Sequence, residues 1–182
     1  MKVLKFGGSS VGSSASILNV KKIVESTSRP VVVIVSALGG VTDQLIEISA
    51  KAAEGNESYK EAVNLLAERH FKMIDEVIAA DKKEKLCSDI NILLEDLRSI
   101  LQGVFLIQDL TRKTADAIVA YGERLSSLIC ATLIDNACHY DSRTFIKTTL
   151  ENGKHVVDFD STNRLILDAF AEPQQIVVAG GF

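Results

Sequence analysis

Apolar and polar positions change period several times along the chain, and the changes mark out its elements. The opening stretch M-K-V-L-K-F-G-G-S-S-V reads as a short strand of Val3, Leu4 and Phe6 that stops at Gly7-Gly8 and turns small and polar. A helical pattern follows from about Ser14, with Ile17, Val20, Ile23 and Val24 in register over Ala15 to Ser26. Arg29-Pro30 then punctuates the chain before Val31–Val35, an unbroken β-branched run of the kind buried on both faces of a parallel sheet. This is a β-loop-α-β unit. A second small loop, Ser36-Ala-Leu-Gly-Gly-Val-Thr-Asp43, leads into another helix from about Thr42 through Ala52.

From Gly55 to Gln108 strand signals disappear, and two or three amphipathic helices are expected in succession. The first spans roughly Tyr59 to Ala79 and the last roughly Cys87 to Gln108, which reads as a helical insertion over about residues 55–110. Such an insertion could be a lid, a substrate wall or a subunit interface, but packing on itself explains its apolar stripe more simply. A helix over Ala115 to Asn136 comes next, with Ile118, Tyr121, Leu125, Leu128, Ile129 and Leu133 on one stripe. The α/β pattern then resumes. Cys138 to Phe145 is expected as a strand and Val156 to Phe159 as a short strand or extended loop. Ser161 to Ala171 is expected as a helix capped by Asp160 or Ser161, before a last strand at Ile176–Ala179.

A strand that meets glycines and then a helix places its loop at the carboxyl end of a sheet, where open α/β sheets bind ligands. Glycines there let backbone N–H groups approach an anion, and the helix start adds its positive end, so phosphate suits the loop. Lys5, inside an otherwise apolar strand, would carry its ammonium to the strand end, where it can neutralise phosphate oxygens. Neither G-x-x-x-x-G-K-[ST] nor G-x-G-x-x-G fits residues 5–12, so an edge lysine followed by a flexible turn stays open. Glu123, in Tyr121-Gly-Glu-Arg-Leu-Ser126, lies about 140° from Ile118 on a helical wheel and taken alone is a solvated residue. His70, His139 and His155 have no second ligand or acid at a useful spacing and read as structural or surface residues. A serine or cysteine hydrolase therefore finds no base here.

Composition narrows the class further. The chain has 182 residues, 47% of them hydrophobic, and a net charge of −4, which describes one soluble domain large enough to bury a core. The longest unbroken apolar run, Val31 to Val35, is far short of a membrane span, no signal-peptide h-region opens the chain, and a cytoplasmic location is the expectation. Mild acidity without clustered Lys and Arg argues against a nucleic-acid partner and for a small molecule. Cys87, Cys130 and Cys138 match neither a zinc site nor C-x-x-C and read as reduced packing residues.

Three stretches taken together, K-F-G-G-S-S-V at 5–11, V-S-A-L-G-G-V-T-D at 35–43 and G-E-R-L-S at 122–126, resemble aspartokinase, a member of the amino-acid kinase fold. The resemblance covers essentially all of the chain. The segments around Arg69-His-Phe71 and Val157-Asp-Phe159 are similar to the kinase part of bifunctional aspartokinase/homoserine dehydrogenases. Implied with it are a three-layer αβα sandwich with a mainly parallel sheet and a helical insertion, ATP and Mg²⁺, and phosphorylation of the side-chain carboxylate of L-aspartate on the way to lysine, threonine and methionine. On that resemblance Lys5 would neutralise the transferring phosphoryl group, with Gly7, Gly8 and Ser9 around its oxygens. Ser36, Ala37 and Thr42 would line the site and Glu123 would face the substrate ammonium. An aspartate carboxylate is already an anionic nucleophile, so the chemistry needs positioning and charge neutralisation without a general base. No metal ligands are assigned, because Mg²⁺ would be held mainly by the nucleotide.

Gly7-Gly-Ser-Ser10 stands where the family usually reads G-G-T-S, which keeps the hydroxyl. Family members continue past the final strand into a G-R-G-G-S-D-like loop, so residues 1–182 are expected to be the N-terminal part of one kinase domain, inactive alone, of a protein that self-associates. Two other readings stand beside this one. One is another amino-acid kinase acting on glutamate, carbamate or a nucleoside monophosphate, and the other is a non-catalytic α/β module that binds a small molecule.

Overall fold

The computed structural model describes residues 1–151, 154–171 and 175–181. Its sheet is organised around two apolar strands. β2 (Val31–Val35) pairs in parallel with β1 (Lys2–Phe6) on one side and with β6 (Ile176–Gly180) on the other. A further strand, β3 (Ala137–Tyr140), pairs in parallel with β6, giving the order β1-β2-β6-β3. Every residue of β6 is buried, as its unbroken apolar sequence and central place require. The mixed α/β class with a parallel sheet is as expected from the sequence.

The alternation of strand side chains divides the sheet into two faces. Val31, Val33 and Val35 share one face with Ile176, Val178 and Gly180, and on it pack α1 (Ser14–Ser26) and α6 (Tyr121–Leu133). α1 starts where a capping box forms, Ser16 N–H donating to Ser13 Oγ at 3.2 Å and Ser13 N–H to Ser16 Oγ at 3.0 Å. The opposite face carries Val3 and Lys5, in register with Val32 and Ile34. On that side Tyr140 and Phe145 meet Phe170, just beyond α7 (Phe159–Ala169), at ring separations of 5.3 and 5.8 Å.

The inserted helices are two, α3 (Tyr59–Val77) and α4 (Ala80–Ile107). Leu66 and Ile74 of α3 and Ile90, Leu94 and Leu97 of α4 lie in the same buried cluster as Val33 and Val178, so the insertion shares the core of the sheet. Its apolar stripe is explained by packing, against α2 (Val41–Ala53) and α6 as well as on itself. α4 begins seven residues before the expected Cys87, because Asp81-Lys-Lys-Glu-Lys85 has no apolar period and yet consists of good helix formers.

Other boundaries differ for identifiable reasons. The single helix expected over Ala115 to Asn136 is two, α5 (Arg112–Val119) and α6, with a bend at Ala120. The hydrogen-bond ladder runs on either side of the bend, Ala120 N–H to Asp116 O and Arg124 N–H to Ala120 O, while α5 packs on α2 and α6 on the sheet. β3 ends at Tyr140, short of the expected Phe145, since the Asp141 carboxylate accepts from Arg143 N–H and opens a 3-10 turn over Ser142–Thr144. A hairpin of β4 (Thr148–Glu151) and β5 (Lys154–Val157) replaces the strand expected at Val156 to Phe159. All eight of its strand residues are exposed, so no buried face imposed a period on their sequence. α7 starts two residues before Ser161, capped by Asp158, whose carboxylate accepts from Ser161 N–H at 3.0 Å. No helix among the described residues is long and apolar enough to cross a membrane.

Cys130 is fully buried, and burial pushes its thiol up to about 12. His70 is fully buried, its Nδ1 2.7 Å from Leu66 O and its Nε2 without a partner among the described residues. Burial lowers its pKa to about 4. A depressed histidine pKa means that the fold holds the neutral ring, so this stabilisation is complete above the unfolded value near 6.5 and is lost as pH falls toward 4. Between about pH 7.5 and 4.5 the wild type should lose about 2–3 kcal/mol through this group. Denaturant unfolding of His70→Gln at both pH values should show a pH loss smaller by that amount, and parallel losses in the two proteins would show that His70 protonates freely in the fold.

Candidate functional site: two glycine loops and a buried carboxylate

Parallel strands bring their carboxyl ends to one edge, and the loops after β1 and β2 meet there. Backbone packing joins them at glycines. A Cβ on Gly8 would lie 3.2 Å from Ala37 O, and one on Gly12 would lie 3.5 Å from Gly39 N. The loop after β2 is also fastened to its neighbours, since Ser36 N–H donates to Phe6 O at 3.0 Å and Ser126 Oγ donates to Ser36 O at 2.7 Å. Gly40, at φ 80°, ends the loop in the left-handed region and caps α2.

α6 comes down on this edge with almost no space between. A Cβ on Gly122 would sit 2.6 Å from the Ala37 Cβ, and one on Gly180 would sit 2.9 Å from the Glu123 Cβ. Glu123 is thereby wedged between the β2 loop and the end of β6 and is only 5% exposed, which corrects the solvated-face reading of the helical wheel. The wheel measures direction from the stripe of one helix, whereas this helix is covered on more than one side. Ala37 N–H donates to Glu123 Oε1 at 3.2 Å, and Oε2 has no protein partner among the described residues. Burial raises the Glu123 pKa, opposed by the Ala37 N–H. A buried carboxylate oxygen without a donor bears its desolvation cost until a proton or a cation reaches it.

Beside Glu123 opens a cavity of about 760 Å³ between α4, α6 and the carboxyl ends of β3 and β6. Arg124 lines it with its guanidinium 4.2 Å from the Tyr121 ring centroid, and Arg143 lines it paired with Asp141, Nε to Oδ1 at 2.9 Å. Arg143 holds the Asp141 carboxyl below its ordinary range. His139, exposed on β3, also borders the cavity, its Nε2 3.0 Å from Ser127 Oγ.

The amino acid kinase family pattern matches residues 1–182. The chain belongs to the amino acid kinase family. Among curated relatives of this family member, a bifunctional aspartokinase/homoserine dehydrogenase of Daucus carota is 30% identical over 98% of the chain and 20% of its own length. Aspartokinase 1 of Arabidopsis thaliana is 31% identical over 92% of the chain and 28% of its own. The chain thus spans less than a third of either relative. Aspartokinase III of E. coli, solved in complex with aspartate and ADP, superposes with a TM-score of 0.84 at 23% identity, over 100% of this chain and 40% of that one. That likeness shows a shared fold.

Of the residues singled out in the sequence, the fold brings Gly8, Ser36, Ala37 and Glu123 into one cluster. Thr42 stands half-buried in the first turn of α2, and Gly7 and Ser9 are exposed beside Gly8. Lys5 is exposed, one residue before the end of β1, on the face of the sheet away from α1 and α6. Arg69, Gly122 and Ser126 fell within stretches that carry the resemblance but were given no role of their own, and Gly180 was not singled out. The two glycines carried a signal, since a glycine inside a helix or strand often marks close approach of another backbone. Ser126 carried none beyond its place in the 122–126 stretch.

The raised pKa of Glu123 has a sign that can be tested. The fold favours the protonated acid, so its contribution is complete below the unfolded value of 4.5 and is lost as pH rises through the folded value. Glu123→Gln cannot ionise and should be more stable than the wild type near about pH 8, with the gain vanishing near about pH 4. Thermal unfolding across that range checks this, and parallel curves for the two proteins would mean that the carboxylate is hydrated.

Proposed function

We propose that these residues form the N-terminal part of the kinase domain of an aspartate kinase, which transfers the γ-phosphoryl group of ATP to the side-chain carboxylate of L-aspartate. The observation that carries the proposal is the Glu123 carboxylate, held by Ala37 N–H through one oxygen and unpartnered at the other, where two glycine loops meet. That oxygen suits the substrate ammonium, because it offers a buried negative charge with no protein cation beside it among the described residues. The names of the relatives, and the aspartate and ADP bound by the E. coli enzyme, support the same substrate pair.

The first loop fits a phosphate chain. A Cβ at Gly7 would meet nothing within 4 Å, so its backbone is open to a ligand, while Gly8 is held against the second loop. In this reading Gly7, Gly8 and Ser9 surround phosphate oxygens, and Ser36, Ala37 and Thr42 line the acceptor side. Lys5, exposed at the strand end, reaches the transferring group as a point charge. ATP supplies the phosphoryl group, and Mg²⁺ held by its phosphates supplies further charge neutralisation. The carboxylate acceptor needs no proton removed, so these residues orient and neutralise. Self-association is proposed as well, supported by exposed apolar side chains such as Val3, Phe159 and Leu167. A cytoplasmic location is proposed with it, although several plant relatives are described as chloroplastic.

In a kinase carrying these residues together with the remainder of its domain, Lys5→Ala should lower kcat about 100-fold, the scale of one preorganised electrostatic group. Trapping the acyl phosphate as its hydroxamate measures this, and unchanged turnover with intact folding removes Lys5 from the site. Glu123→Gln should raise the KM for aspartate far more than that for ATP, and equal effects on both would detach Glu123 from the ammonium. A panel of glutamate, carbamate and nucleoside monophosphates separates the proposal from other members of the family.

A further inference from the structure

The second glycine loop is held from a third side by a residue of the helical insertion. Arg69 of α3 donates through Nη2 to Gly39 O and through Nη1 to Gln44 Oε1, 3.3 Å away in the first turns of α2. Its guanidinium also closes over Gly40, where a Cβ would lie 3.9 Å from Nη1. Two features show that helix stability does not account for this placement. The cation sits at the amino end of α2, which repels positive charge, and no ion pair to Arg69 is found among the described residues. Asp43, the acidic residue of that first turn, is exposed.

We propose that Arg69 is a positioning residue that fixes the loop after β2 for phosphoryl transfer, an inference that rests on the function proposed above. In a trans peptide the C=O and the next N–H point in opposite directions. Capture of Gly39 O by Arg69 therefore turns the Gly40 N–H away from α3 and sets the plane of the Gly39–Gly40 peptide. Gly39 is also the residue that Gly8 and Gly12 touch, so the same hydrogen bond fixes the seating of the first loop against the second. Two residues earlier, Ala37 N–H holds Glu123. The insertion thus reaches both glycine loops and the buried carboxylate through one side chain. A lysine could reach Gly39 O but could not serve Gln44 in the same plane.

The test has two arms. In the 182-residue chain without ligand, amide exchange of Ala37 and Val41, whose N–H groups are bonded to Glu123 Oε1 and Leu38 O, is read relative to Leu94 and Leu97 in α4, so that a general loss of stability, which speeds all amides together, cancels. Arg69→Met should speed the loop amides about tenfold in that ratio, with Arg69→Lys between it and the wild type. In the longer kinase the same two variants should lower kcat in the same order, roughly 10- to 100-fold for Met, with KM for aspartate and ATP changed little. A wild-type exchange ratio in Arg69→Met, or in Arg69→Lys where the Met variant does not fold, overturns the clamp and leaves the proposed function untouched. A faster loop with unchanged kcat overturns its role in transfer. A wild-type kinase that phosphorylates no aspartate overturns the function instead, whatever the exchange data show.

Discussion

The approach of α6 to the carboxyl edge of the sheet is the constraint from which the other features of the site follow. Gly122 faces the Ala37 Cβ and Gly180 faces Glu123, each at a distance that leaves no space for a methyl group. Any larger residue at either position would push the helix off the edge and open the loop after β2 to water. Because the approach is so close, the first turn of α6 can insert a carboxyl group among backbone atoms and receive an N–H from a loop in a distant part of the sequence.

Burying that carboxyl group is unfavourable in itself. One oxygen is compensated by Ala37 N–H, and the other is buried without a protein partner among the described residues, so its desolvation is uncompensated. The cost is borne by the surrounding core. Val33, Val35 and Val178 beneath, with Leu125 and Ile129 of α6, are fully buried and hold the helix down. The helical insertion adds to the same core through α3 and α4, and so stabilises the site while it supplies Arg69 to the loop.

Residues that bear charge are distributed on both faces of the sheet. Glu123 lies on the side of α1 and α6 and Lys5 on the other. A parallel sheet makes this arrangement natural, since the carboxyl edge is the one place where groups from both faces can meet a common ligand.

Much of the fold was written in local pattern. Val31–Val35 read as a strand buried on both faces and Ile176–Ala179 as the last strand, the glycine loops were expected after strands, and the 3.6-residue period marked α1, α2, α3 and most of α4. These features depend on which faces are buried, and burial leaves a period in the sequence. Where nothing is buried, as in the β4–β5 hairpin, the sequence had no period to read. The bend at Ala120, the environment of Glu123 and the reach of Arg69 were decided by tertiary structure alone. A helical wheel assigns one inside and one outside to a helix, but α6 packs against the sheet, the insertion and a loop together. Motif resemblance pointed to Glu123, yet only the packed structure explains its burial. The reason is that its partner Ala37 is 86 residues away, a distance that no periodicity can register.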